Sequence, residues 1–156
     1  MARIISNGEV RISWVTTIAD PSAPTAAEVG AGTDITPFLS SLDTPLDGNA
    51  VNSSDLSSAF NKTVAGKFGG NVNAQMYRDD TADTAFALFP RNTTGFIVIR
   101  RFGGSDVAII AADEVDVWPL RVITRSDVPL DDESVQAFTC NFAALDEPNI
   151  AVAVAA

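Results

Sequence analysis

Clustered carboxylates are the residues of this sequence best placed to do chemistry. They form three groups: Asp79, Asp80 and Asp83; Asp113, Glu114 and Asp116; and Asp131, Asp132 and Glu133. A pair of carboxylates can hydrolyse a glycosidic bond, and a tighter set can hold a divalent cation. The first group lacks the spacing of a calcium-binding loop, and no two acids stand out as a catalytic couple. The first group precedes an apolar run, so it reads as a helix cap, with Asp80-Thr81 at the N-cap and Asp83 in the first turn. The second reads as a solvated hairpin and the third as a charged turn. There is no histidine, which excludes a histidine-based hydrolytic triad. Phe68-Gly69-Gly70 and Phe102-Gly103-Gly104 are glycine doublets, yet neither leads into the Lys-Ser/Thr of a phosphate loop. Cys140, the single cysteine, sits in apolar alternation and reads as an inert core residue. No catalytic, cofactor-binding or metal-binding residue is assigned, and the chain reads as a structural protein rather than an enzyme.

Charge narrows the partners. Twenty acids face ten bases, a net charge of −10. Binding nucleic acid through phosphate neutralisation needs clustered Lys and Arg, and an anionic membrane surface needs the same. The one basic doublet, Arg100-Arg101, is suited to ion pairs with acids of a neighbouring strand or subunit. Nine Phe against one Tyr and two Trp fit a filled core better than a stacking platform. No apolar run reaches membrane length, and the first residues lack the apolar stretch of a secretory signal, so a protein made and assembled in a cytoplasm is expected. A chain of 156 residues is expected to form a single domain over 1–156.

The elements that must carry these residues are mostly strands. Val10–Ile18 alternates, with Val10, Ile12, Trp14, Thr16 and Ile18 on one face. Lys62–Phe68 and Gly70–Arg78 follow as two strands. Val72, Ala74 and Met76 share one face of the second, while Asn71, Asn73 and Gln75 share a polar but uncharged face that open water does not require. Ala82–Phe89 predicts a short helix ended by Pro90. Phe96–Arg101 is apolar on both faces, as in a covered strand. Val107–Ala112, Val115–Thr124 and Ser134–Phe142 continue the series, and Asn149–Ala156 is an alternating tail, part of a C-terminal arm at about 146–156, that can pair as a terminal strand or dock on a neighbour. The sum is a mainly β fold, an antiparallel sandwich or open barrel with one short flanking helix.

One region breaks this regularity. Between about residues 19 and 60, turn chemistry such as Asp43-Thr44-Pro45 and Asp47-Gly48-Asn49 separates scattered apolar residues: Phe38, Leu39, Leu42, Leu46, Val51, Leu56 and Phe60. A long loop inside a compact domain is either functional or disordered, and a disordered linker carries fewer apolar residues. The segment therefore reads as an extended assembly loop that orders on a neighbouring subunit. Deleting about 24–50 is expected to leave a folded β domain that cannot polymerise.

The order of these elements resembles the major tail tube proteins of long-tailed bacteriophages. The likeness is carried by the early amphipathic strand, the long loop, DLSSAFNKTVAGKFGGNVNAQMYRDD (55–80), the helix TADTAFALFP (81–90) and the strand TGFIVIRRFGG (94–104), and it spans roughly Val10 to Phe142. The resemblance implies a virion protein that forms hexameric rings stacked into a hollow tube, the conduit for the genome. It implies inner sheets joined into one barrel, loops and terminal arms in contact between rings, and partners in a tape-measure protein, tail-tip and tail-terminator proteins. It implies no cofactor, and DNA that transits without specific binding. Four strands from each of six copies, ~4.8 Å apart and tilted ~40°, would close a barrel roughly 50 Å across. An excess of acid would repel phosphate in such a lumen, and Asn71, Asn73 and Gln75 become a candidate lumen or subunit face. A capsid-decoration or tail-completion protein, the tube protein of a bacterial injection machine, and a soluble ligand-binding β-sandwich remain alternatives.

Overall fold

Strand-forming alternation dominates the computed structural model, which describes residues 2–156. Among those residues the chain runs β1 (Arg11–Val15), α1 (Ala26–Gly30), β2 (Thr33–Asp34), a 3-10 turn (Thr36–Phe38), β3 (Leu39–Asp43), β4 (Leu46–Asn52), β5 (Thr63–Tyr77), α2 (Thr84–Leu88), β6 (Thr94–Arg100), β7 (Glu114–Asp127), β8 (Ala137–Ala144) and β9 (Asn149–Ala153). All strand pairs are antiparallel. They form one sheet in the order β2-β1-β6-β7-β8-β5-β3, with β4 added to β5 and β9 to β7.

The sheet curls, because its two ends feed one core. Ile12 and Trp14 of β1, Val72 and Met76 of β5, and Phe138, Cys140 and Phe142 of β8 share a cluster with Ala85 and Phe89 of the α2 region. Leu39 and Leu42 of β3 lean against the same cluster. A smaller cluster on the opposite face joins Val15, Val98, Val115 and Val117 to Val29 of α1 and Val154 near the C-terminus. Strand β6 is therefore covered on both faces, as its apolar sequence predicts: Ile97 and Ile99 enter the first cluster and Val98 the second.

Pro119 interrupts β7 at a position where its missing N–H costs nothing. The N–H and C=O of a strand residue point the same way, and Pro119 O accepts from Leu145 N just past the end of β8. The pairing of β7 with β8 ends at Leu120 and that with β9 begins at Val117, so the proline ring fills the gap between two partners.

Several expectations are corrected. A second helix, α1, lies in the stretch read as loop. Thr25 and Glu28 form a capping box, with Thr25 Oγ1 accepting from Glu28 N at 3.2 Å and Glu28 Oε2 accepting from Thr25 N at 3.0 Å. The pair of strands expected at Lys62–Phe68 and Gly70–Arg78 is one 15-residue strand. Its Gly69-Gly70 doublet is not a break: a Cβ on Gly70 would stand 2.9 Å from Leu46 Cδ2 and 3.3 Å from Trp118 Cζ3. Val107–Ala112 forms no strand, because the buried Arg100 guanidinium takes the carbonyls of Gly104, Val107 and Ala108. Helix α2 is not capped by Asp80-Thr81. Asp83 occupies the N-cap with a left-handed φ of 48° and no capping bond, its carboxylate engaged by Arg78 Nε at 2.8 Å. The tail at 149–155 takes the terminal-strand pairing that its alternation allows. β9 pairs with β7, and Ala155 exchanges backbone bonds with Pro24 and Ala26.

Candidate assembly surface

Asp83, Asp113, Asp116 and Asp131, acids that might have done chemistry, are occupied structurally. Asp113 receives Arg100 Nη1 and Ile110 N, each at 3.0 Å. The Ile110 N–H and then the Arg100 guanidinium hold its carboxyl below the usual range against the opposing cost of burial. Asp116, expected in a solvated hairpin, is buried. It pairs with Arg101 Nη2 at 2.7 Å and accepts from Ala151 N at 2.9 Å, which ties β9 to the sheet. The basic doublet thus pairs with neighbouring acids of its own chain. Asp131 lies in an exposed turn, its carboxyl lowered mainly by the Ser134 hydroxyl. Burial pushes the Cys140 thiol up to about 12. Among the described residues no cluster of His, Cys, Asp and Glu could hold a metal ion, and no helix is long and apolar enough to cross a membrane.

The surface itself has three parts. The first is an arm. β4 pairs with the N-terminal half of β5, Leu46 opposite Gly70 and Asn52 opposite Thr63. Every residue of β4 is exposed. An isolated two-stranded hairpin is marginal in water, and this one is anchored by the continuity of β5 into the sheet. The extra residue that β5 inserts between Ala65 and Phe68 reverses the facing beyond it. Leu46 and Phe68 thus continue the core-facing side, whereas Val51 and Val64 lie on the other. Apolar groups stand exposed on both faces, and Leu56 and Phe60 stand exposed at the tip. The tip is shaped by local bonds, Ser54 N to Asn52 Oδ1 at 2.8 Å and Lys62 N to Ser54 Oγ at 2.8 Å.

The second part is a polar face. On the side of the sheet away from α2, β3, β5, β8 and β7 lie side by side. Ser41 stands opposite Gln75, Gln75 opposite Thr139, Asn73 opposite Asn141, and Thr124 opposite Asn141. Asn141 Nδ2 donates to Thr124 Oγ1 at 3.0 Å. Asn71, Asn73 and Gln75 are thus brought together with neutral residues of three further strands, Thr139, Asn141, Thr124 and Ser41. Where the four strands run together, Asp43 and Arg121 are the charges on the outward face, at its margins, and Lys67 lies on that side farther along β5, on the arm. The third part is the seam where the curled sheet fails to close. A cleft of about 900 Å³ lies between β1 and β3, lined by Val10, Ile12, Leu39, Leu42 and Ile99 with Arg101 at its rim.

The seven apolar loop residues therefore divide. Phe38, Leu39 and Leu42 lean on the chain's own core, whereas Leu46, Val51, Leu56 and Phe60 stand exposed on the arm. Val64 and Phe68 belong with the second set. Their exposure was concealed in sequence by Gly66 between them and the Gly69-Gly70 doublet beyond, which hide the strand's continuation.

Residues 1–156 match a family model described as "phage tail tube protein". No curated protein matches the chain in sequence. Solved structures match in fold. The tail of an empty gene transfer agent particle, refined helically with C6 symmetry, is 11% identical with a TM-score of 0.58, over 97% of this chain and 100% of that one. The virion of a native gene transfer agent particle gives 9% identity and 0.56 over 97% and 100%. The six-fold symmetrised baseplate of an anti-feeding prophage gives 11% and 0.56 over 94% and 95%.

Proposed function

Because the chain belongs to the phage tail tube protein family, a structural and non-enzymatic component of the virion tail, we propose that six copies close a ring and that rings stack into the tube. The observation that carries this reading is the neutral four-strand face β3-β5-β8-β7 standing beside an uncovered arm. Six such faces supply the 24 strands of a DNA-wide barrel. The free edge of β3 meets a neighbour's sheet within the ring, which removes an exposed edge. The gene transfer agent tail and the anti-feeding prophage baseplate that share the fold carry six-fold symmetry, which supports the stoichiometry.

In this arrangement Asn71, Asn73, Gln75, Thr139 and Asn141 line the lumen. Amide and hydroxyl groups hydrogen-bond water and offer no fixed cation for phosphate to grip, so DNA passes by sliding. The lumen wall is neutral at its centre, and the excess acid lies elsewhere on the subunit. Leu46, Val51, Leu56 and Phe60 are buried against the next ring. The tape-measure protein threads the lumen during assembly, and tail-tip and tail-terminator proteins close the two ends.

Negative-stain microscopy of concentrated purified protein tests the reading. Hollow rings or tubes with six-fold averages are expected. A monomer at every concentration, or closed trimers of a decoration protein, would overturn it.

A further inference from the structure

The two ends of β5 carry opposite chemistry. At one end stands the arm, which holds both lysines of the chain, Lys62 and Lys67. With Asp47 and Asp55 as its acids, the arm bears no net charge on a chain of net charge −10. Its tip also presents Leu56 and Phe60. At the other end β5 reaches Tyr77, and β7 ends at Asp127 opposite Phe138, which is itself opposite Met76. The loop that follows displays Leu130 and Val135, 76% and 71% exposed, around Asp131, Asp132 and Glu133, with no base between 127 and 135. Fifteen residues of strand separate the two ends by roughly 46 Å.

Resting on the tube reading above, we infer that the arm tip of one copy seats on the 127–135 loop of a second copy, displaced along β5. The apolar tip covers Leu130 and Val135, and Lys67, together with Lys62 exchanged out of its exposed 3.1 Å pair with Asp55, meets Asp131, Asp132 and Glu133. Complementary charge fixes register and rejects wrong partners. A contact between two different patches of identical copies closes into a ring or runs on as a filament, and a displacement along β5 from ring to ring gives the open, filament case. The reverse stacking, acidic loop on acidic loop, is repelled, so the pairing also sets the polarity of the stack.

Charge reversal tests the pairing. The Lys62→Glu/Lys67→Glu double variant and the Asp131→Lys/Asp132→Lys double variant change only exposed side chains, and circular dichroism with thermal melting checks that both fold. Each alone is expected to abolish stacking at concentrations where the unaltered chain forms tubes, leaving single rings. All four changes in one chain are expected to restore tubes. Undiminished tubes from either double variant, or no restoration in a folded quadruple variant, would overturn the pairing while leaving the tube reading intact. Failure of the unaltered chain to form rings or tubes would overturn both.

Discussion

Arg78 and Arg125 clamp the Phe86 ring between them. Each guanidinium carbon lies 3.6 Å from the ring centroid, a distance that two cations can share only by taking opposite faces. Phe86 meets Phe138 edge-on at 5.3 Å, and Arg125 also donates to the Phe86 carbonyl. Arg78 in turn holds Asp83 and Asp127, the latter at 3.0 Å. A five-residue helix is far too short to persist alone. This clamp fastens α2 to β5, β7 and β8 at once.

Replacing Phe86 separates the terms. Phe86→Leu keeps apolar volume and loses two cation–π contacts, each worth about 0.5–2 kcal/mol. We expect a loss of about 1–3 kcal/mol, and about 2–4 kcal/mol for Phe86→Ala, below the full core cost because Phe86 is half-buried. Urea unfolding with equal m-values for all three chains would measure it. A Leu variant as stable as the parent would show that the arginines contribute nothing through the ring.

Asp113 predicts the acid limit of stability. Its carboxyl titrates below the ordinary value in the folded chain, so it contributes stability that is fully present above the unfolded pKa and lost as pH falls through the folded one. Asp83 is lowered in the same sense, first by Arg78. With no histidine in the chain, no unperturbed side chain titrates between about pH 5 and 8. The melting temperature should therefore be level across that range and fall below about pH 4. Asp113→Ala also leaves the Arg100 guanidinium buried without a carboxylate. Breaking such a pair costs ~3 kcal/mol, at the lower end because Asp113 keeps contact with water. Thermal melts from pH 3 to 8 on both chains would test this, and a curve already falling at pH 6 would contradict it.

How much of this was legible in sequence depends on what each residue answers to. β1 and β8 follow from side-chain alternation, and β6 and β7 from apolar runs, because their own chain covers them. The uncharged face of Asn71, Asn73 and Gln75 was visible for the same reason, since Val72, Ala74 and Met76 between them are buried. The Thr25–Glu28 capping box was present in sequence as Thr-Ala-Ala-Glu, hidden among prolines and glycines. β4 was not legible. Asp47-Gly48-Asn49 is turn chemistry, and it becomes strand only because Asp47 and Gly48 pair with Gly69 and Phe68. Val107–Ala112 has strand composition, but the buried Arg100 claims its carbonyls, a long-range effect that no local pattern records.

Gly95 marks the tightest approach in the core. A Cβ there would lie 2.5 Å from Trp14 Cζ2 and 2.9 Å from the Val15 carbonyl oxygen. Trp14 cannot retreat easily, because Phe89 meets its ring at 4.9 Å and Phe142 at 5.9 Å. Gly95→Ala is expected to destabilise by about 1–3 kcal/mol through overpacking, although alanine suits a strand better than glycine does. Near-ultraviolet circular dichroism should report the displaced indole alongside the lower melting temperature. A neutral or stabilising effect would mean that the sheet opens there at little cost.

The arm offers the sharpest separation of folding from assembly. Deleting residues 24–50 does not achieve it, since that span holds Val29, Ile35 and the β3 residues Leu39 and Leu42, all packed into the body. Asp47 and Gly69, by contrast, are cross-strand partners. Replacing 48–68 by a two-residue Asn-Gly turn therefore closes the hairpin at its base with a turn that suits the strand twist. Every side chain removed is exposed or, at Gly66, absent, so the body should keep its melting temperature to within a few degrees. Stacking should vanish, because Val51, Leu56, Phe60 and Lys62 leave with the arm. Leu56→Ser/Phe60→Ser is the milder form, expected within about 0.5 kcal/mol of the parent in stability yet impaired in polymerisation. Sedimentation and negative-stain microscopy would read both variants. Tubes of normal length from the shortened chain would remove the arm from assembly altogether, whereas a shortened chain that no longer folds would place the arm in the core, where none of its side chains now lies.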